Sequence, residues 1–158
     1  MIRPPRKFED LVVGETRISS KRTITQDQIL AFARHYDPQW FHADPEAARQ
    51  SIFGEVVASG IHTLAIWRQL DHEMNSDIDF VCGVGMDELR LKTALHPGDT
   101  VHATSEILSL TPSTSGKARG TAITAYALLN QEGAEIVTFR SINLVHCRSK
   151  QRRRPKNA

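Results

Sequence analysis

Within Tyr36-Asp-Pro-Gln-Trp-Phe-His42 a carboxylate, Asp37, and an imidazole, His42, stand five residues apart. Imidazole titrates near neutral pH, which makes His42 a candidate general acid or base. A carboxylate beside it can orient a water or hold the ring's tautomer. Pro38 pushes Asp37 out of the α region, so the pair is expected on a non-helical turn. Trp40 and Phe41 would partly bury it and shift both pKa values. The spacing suits equally an aspartate at a helix end and a histidine satisfied by backbone.

Ser59-Gly60 precedes the longest helical pattern in the chain. A helix N-terminus offers unpaired N–H groups and the positive end of the dipole. An oxygen gaining negative charge could settle there as in an oxyanion hole, and glycine would allow close approach to the backbone. A glycine that merely acts as the N-cap is the plainer reading. The remaining histidines show no HExxH or paired-ligand spacing, so no metal site is expected. Gly83-Val-Gly-Met-Asp-Glu88 lacks the third glycine of a dinucleotide loop and reads as strand.

These residues need elements to hold them. A short strand is expected over Thr16 to Thr23. Thr25-Gln-Asp-Gln28 has capping-box form and opens a helix with Ile29, Leu30, Ala33 and Tyr36 on its apolar face, ended by Pro38. Asp44-Pro45-Glu46 starts a second, short helix. Ile61, Leu64, Ala65, Trp67, Leu70 and Met74 give the long helix a broad apolar face, and Trp67 and Met74 read as core. After about Asp79 the period becomes two. Val84 and Met86 change parity to Leu89 and Leu91, as a bulge would produce. His96-Pro-Gly-Asp99 is a turn, and Val101, Ala103 and Ile107 alternate. Thr111 to Gly120 is a loop. Ile123, Ala125, Ala127 and Leu129 alternate, Asn130 to Gly133 turns, and Val137, Phe139, Ile142 and Leu144 finish the sheet with another parity change. Helices followed by a run of antiparallel strands give an α+β layout.

The stretch from Thr25 to about Leu70 resembles the MaoC-like, or R-specific enoyl-CoA hydratase, family. The likeness is carried by Asp37-Pro-Gln-Trp-Phe-His42, Asp44-Pro-Glu-Ala-Ala48, Phe53-Gly54 and Ala58-Ser-Gly-Ile61. Asp87-Glu-Leu-Arg90 and Leu95-His-Pro-Gly-Asp99 extend it over most of residues 15–147. It implies a single hot-dog domain over 1–147, with an antiparallel sheet wrapped around the long helix. It further implies reversible hydration of a trans-2-enoyl-CoA to an R-3-hydroxyacyl-CoA in fatty acid metabolism. Asp37 and His42 would hold and activate the water, with His42 taking its proton and Asp37 handling the proton at the α-carbon. The Gly60 N–H would bind the thioester oxygen, and Gln39, Trp40, Phe41, Ser59 and Ile61 would line the substrate. No cofactor or metal is implied, because the thioester itself acidifies the α-proton. Family hydratases often carry Asn-Pro where this chain has Gln39 and Trp40. A lone hot-dog leaves sheet edges uncovered, so a homodimer or dimer of dimers is expected, with the acyl-pantetheine tunnel along the subunit interface. Two other readings stay open: a hot-dog thioesterase using Asp71 or Glu73, and a non-catalytic acyl-thioester-binding protein.

The 158 residues fit one domain, and 40% hydrophobic residues suffice for a core without disulfides. The net charge of +2 is misleading: six cations and no acid lie from Arg148 onward, leaving fourteen basic against eighteen acidic residues, net −4, in 1–147. Residues 148–158 read as a basic, disordered tail. The body lacks the basic stripe that nucleic-acid binding would require. Cys82 and Cys147 outside any CxxC suggest a reducing compartment. Neither a secretory signal nor a bilayer-long apolar run is evident, so a cytoplasmic protein without membrane association is expected.

Overall fold

The computed structural model describes residues 3–148. Four helices precede the main sheet: α1 (Gln26–Tyr36), α2 (Trp40–Ala43), α3 (Pro45–Ala48) and α4 (Gly60–Asn75). Two short strands come before them, β1 (Thr16–Ile18) and β2 (Arg22–Thr23). Four long ones follow, β3 (Phe80–Leu91), β4 (Thr100–Pro112), β5 (Arg119–Leu129) and β6 (Glu135–His146). The strands form an antiparallel sheet of order β1-β4-β5-β6-β3, with β2 also paired to β4. The sheet curves around α4 in the expected hot-dog arrangement, one α+β domain.

Local chemistry sets the helix ends. Thr25 Oγ1 accepts the Gln28 N–H at 3.3 Å while Gln28 Oε1 accepts the Thr25 N–H at 2.9 Å, a reciprocal cap. Asp44 Oδ1 accepts from the Glu46 and Ala47 N–H groups. Ser59 caps α4 through the His62 N–H. The core lies where Ile66, Trp67 and Leu70 of α4 meet Val101, Ala103, Tyr126, Leu128, Val137 and Phe139 of the sheet. Leu70 is fully buried, worth about 2 kcal/mol against exposure. Trp67 packs edge-on against both Tyr126 and Phe139.

A second cluster seats the N-terminal segment, with Phe8 and Leu11 against Ile78, Ile107, Ala122 and Val145. Ion pairs hold it there. Both Arg6 Nη atoms reach the Glu15 carboxylate at 2.8 Å, Arg17 forks onto Asp77, and Arg3 and Lys7 meet Asp79. The Arg6 hydrogen bonds outweigh burial and, with Arg17, hold the Glu15 carboxyl down at about 2.

Several elements differ from expectation. The first strand is split, because Ser19 to Lys21 leave the ladder between β1 and β2. The turn carrying the acid–base pair is non-helical only at Asp37 to Gln39, since Trp40–Ala43 forms a helical turn. Tyr36 is exposed and outside the core. The β4–β5 loop is shorter than expected, because pairing continues through Pro112↔Gly120. In β5 the buried face is Ala122, Tyr126 and Leu128 with Thr124. The apolar alternation of Ile123, Ala125, Ala127 and Leu129 marks the opposite face. Ile142 and Leu144 likewise lie outside the buried set of β6, which is Ile136, Val137, Phe139, Ser141 and Val145. The expected bulge in β3 is present as a register shift between Asp87 and Arg90, with Glu88 at φ 54°. Val84, Met86, Leu89 and Leu91 are nevertheless exposed, because β3 is an edge strand.

Candidate functional site

Asp37 and His42 are delivered by a helix stop and a restart. α1 ends at Tyr36, and Asp37 is its C-cap, with its N–H bound to Ala33 O at 2.9 Å. Pro38 prevents continuation. The chain re-enters helix at Trp40, so His42 sits on a single turn, α2, rather than on a free loop. His42 is buried, and its Nδ1 lies 2.6 Å from Val57 O. A carbonyl can only accept, so Nδ1 carries the hydrogen and Nε2 of the neutral ring keeps its lone pair. The Val57 carbonyl thus orients the imidazole, a role that often falls to a carboxylate.

His42 lines a cavity of about 330 Å³ together with Phe41, Gly60, Thr63, Leu91 and Leu95. Its walls are tied together. The Ala58 N–H donates to Leu95 O at 2.9 Å, the Val57 N–H to Phe41 O at 3.4 Å, and His96 Nδ1 lies 2.8 Å from Glu55 Oε1. Gly60 is the first residue of α4, so its N–H has no intrahelical acceptor. The same small space is therefore lined by the His42 imidazole and by the first residue of a sixteen-residue helix.

The sequence-derived residues divide around this cavity. Phe41, His42 and Gly60 line it. Asp37 is half-buried on the turn before α2. Gln39, Trp40 and Ile61 are exposed. Ser59 is buried, its hydroxyl accepting the His62 N–H and its carbonyl accepting from the Thr63 hydroxyl at 3.1 Å. Glu73 is held by Ser20 and Arg22 on the surface. Asp71 is buried against Arg68 and Asn75. Neither acid lines the His42 cavity, and Asp37 does not line it either.

Two features were not legible in the sequence. A Cβ at Gly60 would lie 2.5 Å from Leu91 Cδ1. The space over the glycine is thus occupied by a side chain of the edge strand, and glycine there accommodates Leu91 as well as any substrate. No local motif links residues 60 and 91. The second feature is His62, stacked face to face on Phe32 with centroids 4.4 Å apart and planes 5° from parallel. It joins α1, whose C-cap is Asp37, to α4, which begins at Gly60. Burial pushes the His62 pKa down, and its Nδ1 has no hydrogen-bond partner.

Comparison with known proteins agrees with this fold. The model of the MaoC-like domain matches residues 8–129. The 3-hydroxyacyl-thioester dehydratase Z of Mycobacterium tuberculosis is 32% identical over 105 residues, 65% of this chain and 70% of that protein. A crystal structure of a MaoC-like dehydratase from Rhodospirillum rubrum superposes with a TM-score of 0.82 at 35% identity, covering 90% of this chain and 98% of that one. The R-hydratase PhaJ1 of Pseudomonas aeruginosa shares the fold, with a TM-score of 0.71 at 20% identity, covering 96% and 95%. Among the described residues no helix is long and apolar enough to cross a membrane. Taken with the curved sheet, the central helix and the cavity at its head, the match over most of its length shows that the chain belongs to the MaoC-like dehydratase domain family.

Proposed function

We propose that this protein catalyses the reversible addition of water to a trans-2-enoyl-CoA, giving an R-3-hydroxyacyl-CoA. The observation that carries the reading is the clamped imidazole: His42 is buried, tautomer-fixed by Val57, and shares a cavity with the N-terminus of α4. His42 Nε2 takes a proton from water as the oxygen bonds to C3. Electron density moves onto the thioester oxygen, which the Gly60 N–H stabilises. The proton taken by His42 passes by way of Asp37 to C2, so the pair ends as it began. Phe41 flanks the acyl group, and Gln39, Trp40 and Ile61 border the entrance. The thioester supplies the acidity at C2.

The working unit in this reading is a homodimer. β3 is the free edge of the sheet and carries exposed Val84, Met86, Leu89 and Leu91. An open, apolar edge strand is a pairing surface, and a second copy of β3 would cover it and wall the cavity on the Leu91 side.

The test is hydration of crotonyl-CoA by the purified protein, followed by loss of enoyl absorbance, with a thiol trap for released CoA in parallel. Asp37→Asn and His42→Ala are each expected to cut kcat/KM by about 10²–10⁴-fold with no CoA released. Wild-type turnover in both variants would dismiss these roles. CoA release without hydration would favour a thioesterase.

A further inference from the structure

A second cavity, of about 470 Å³, is bounded by residues of the same helix and strand as the His42 cavity. Both spaces are bounded by α4 and β3. At the head of α4, Gly60 faces Leu91. Toward its other end, Trp67, Arg68 and Asp71 face Phe80, Cys82, Gly83, Gly85 and Met86. The helix and the strand therefore run antiparallel, with one cavity at each end. Arg68 and Asp71 follow Gly60 by eight and eleven residues, or roughly 12–16 Å at the helical rise. At roughly 1.3 Å of reach per C–C bond of about 1.5 Å, that is an acyl chain of roughly ten carbons.

The floor of this second cavity is polar, and much of it is built in. Asp71 is only 4% exposed. Its carboxylate accepts from Arg68 and, at 2.8 Å, from Asn75 Nδ2, and burial and the adjacent Asp71 together push the Tyr126 pKa up. Ser141 is buried, and Asn143 Nδ2 donates to its hydroxyl at 2.8 Å. A Cβ at Gly83 would meet Asn143 Oδ1 at 3.2 Å. Glycine inside a strand is a mark of close approach by another group. A plain alkyl tail laid here would strip water from an ion pair, an amide and a hydroxyl that are bonded only to one another, and would return no hydrogen bond, which is costly.

We propose that this cavity is a distal acyl subsite for a medium-length chain bearing a hydroxyl or ketone oxygen, recognised by Arg68, Asp71, Ser141 and Asn143. The assignment rests on the hydratase reading and narrows its substrate class. A site built to hydrogen-bond an oxygen discriminates strongly against the analogue that lacks it.

The test compares three substrates: crotonyl-CoA, too short to reach the cavity; trans-2-decenoyl-CoA; and a trans-2-decenoyl-CoA hydroxylated near its far end. Wild-type protein should prefer the hydroxylated chain over the plain one by at least about tenfold in kcat/KM. Asn143→Leu and Arg68→Met, which leave the buried Asp71 in place, should each bring that ratio to within about threefold while leaving crotonyl-CoA turnover unchanged. Equal or better turnover of the plain chain by wild type would overturn the proposal, as would a preference that survives both substitutions. A wild-type protein inert on crotonyl-CoA would instead remove the hydratase reading beneath it.

Discussion

Gly60→Ala separates two reasons for the glycine. The new methyl would sit 2.5 Å from Leu91 Cδ1, against about 3.5–4.0 Å for an unstrained carbon pair. The obstructing atom is the end of a flexible side chain that is 59% exposed. One rotamer change relieves the clash, at a cost of order 0.5–1.5 kcal/mol. Alanine is also the better helix former, by up to about 1 kcal/mol. The two terms nearly cancel, so the variant should fold with a Tm within a few degrees of wild type. Activity should behave differently. The methyl projects beside the Gly60 N–H, and loss of one oxyanion donor costs about 10²–10³ in kcat, roughly 2.7–4 kcal/mol. Stopped-flow or steady-state hydration of crotonyl-CoA, with circular dichroism on the same samples, measures both. Adding Leu91→Ala sorts the cause: recovery of rate in the double variant means that a displaced Leu91 was blocking the cavity, and no recovery means that the methyl itself excludes the thioester. A stable Gly60→Ala protein with wild-type kcat would refute the assignment of this N–H to the thioester oxygen.

Two further outcomes follow from groups away from the cavity. His62→Phe should keep the stack on Phe32 and remove an unpartnered buried nitrogen, leaving stability at pH 8 unchanged or raised by about 1 kcal/mol, whereas His62→Ala should cost about 2–4 kcal/mol in urea denaturation. Because burial lowers the His62 pKa from 6.5, the unfolded chain binds the proton more readily, so wild type loses stability as pH falls below 6.5 and the Phe variant should lose less; identical pH slopes would contradict this. Glu15 has the opposite linkage to its own proton. Its folded pKa is depressed from 4.5 to about 2, so its contribution is complete above 4.5 and disappears as pH falls through about 2. With its side chain 22% exposed, screening discounts the full linkage energy, and Glu15→Gln should cost about 1–2 kcal/mol at neutral pH and almost nothing at pH 2, read from thermal melts across that range.

The parts of the molecule that announce themselves in the sequence are those whose cause is local. The Thr25–Gln28 cap, the stop at Pro38 and the Asp44-Pro45 start are decided by neighbours within a turn, and each stands where spacing placed it, whereas the cap of α4 falls on Ser59 and not on the glycine after it. The sheet faces were harder. In β5 small and polar residues, Ala122 and Thr124, point into the core, while the more apolar set Ile123, Ala125, Ala127 and Leu129 lies on the other face. That inversion follows from the company each residue keeps: Tyr126 and Leu128 fill the space under α4, leaving little room for bulk beside them. Alternation reports a period, and only packing says which phase is inside.

The same limit explains why the chemistry was half visible. His42 could be named from its type, yet the group that orients its ring is a carbonyl fifteen residues later, and a carbonyl leaves no trace in a sequence. Val84, Met86, Leu89 and Leu91 look like core because they alternate and are apolar, and they are exposed because β3 has a neighbour on one side only. A free chain gains nothing from such a strand. A chain that pairs two copies of β3 gains a covered edge and a second wall for the His42 cavity on its Leu91 side. On that argument dimerisation and catalysis draw on the same twelve residues. A charge placed at Val84, exposed on β3 and outside both cavities, should therefore lower hydration activity in proportion to the monomer it produces, with sedimentation and turnover falling together. Full activity in a variant that sediments as a monomer would separate the two and leave β3 with a purely adhesive role.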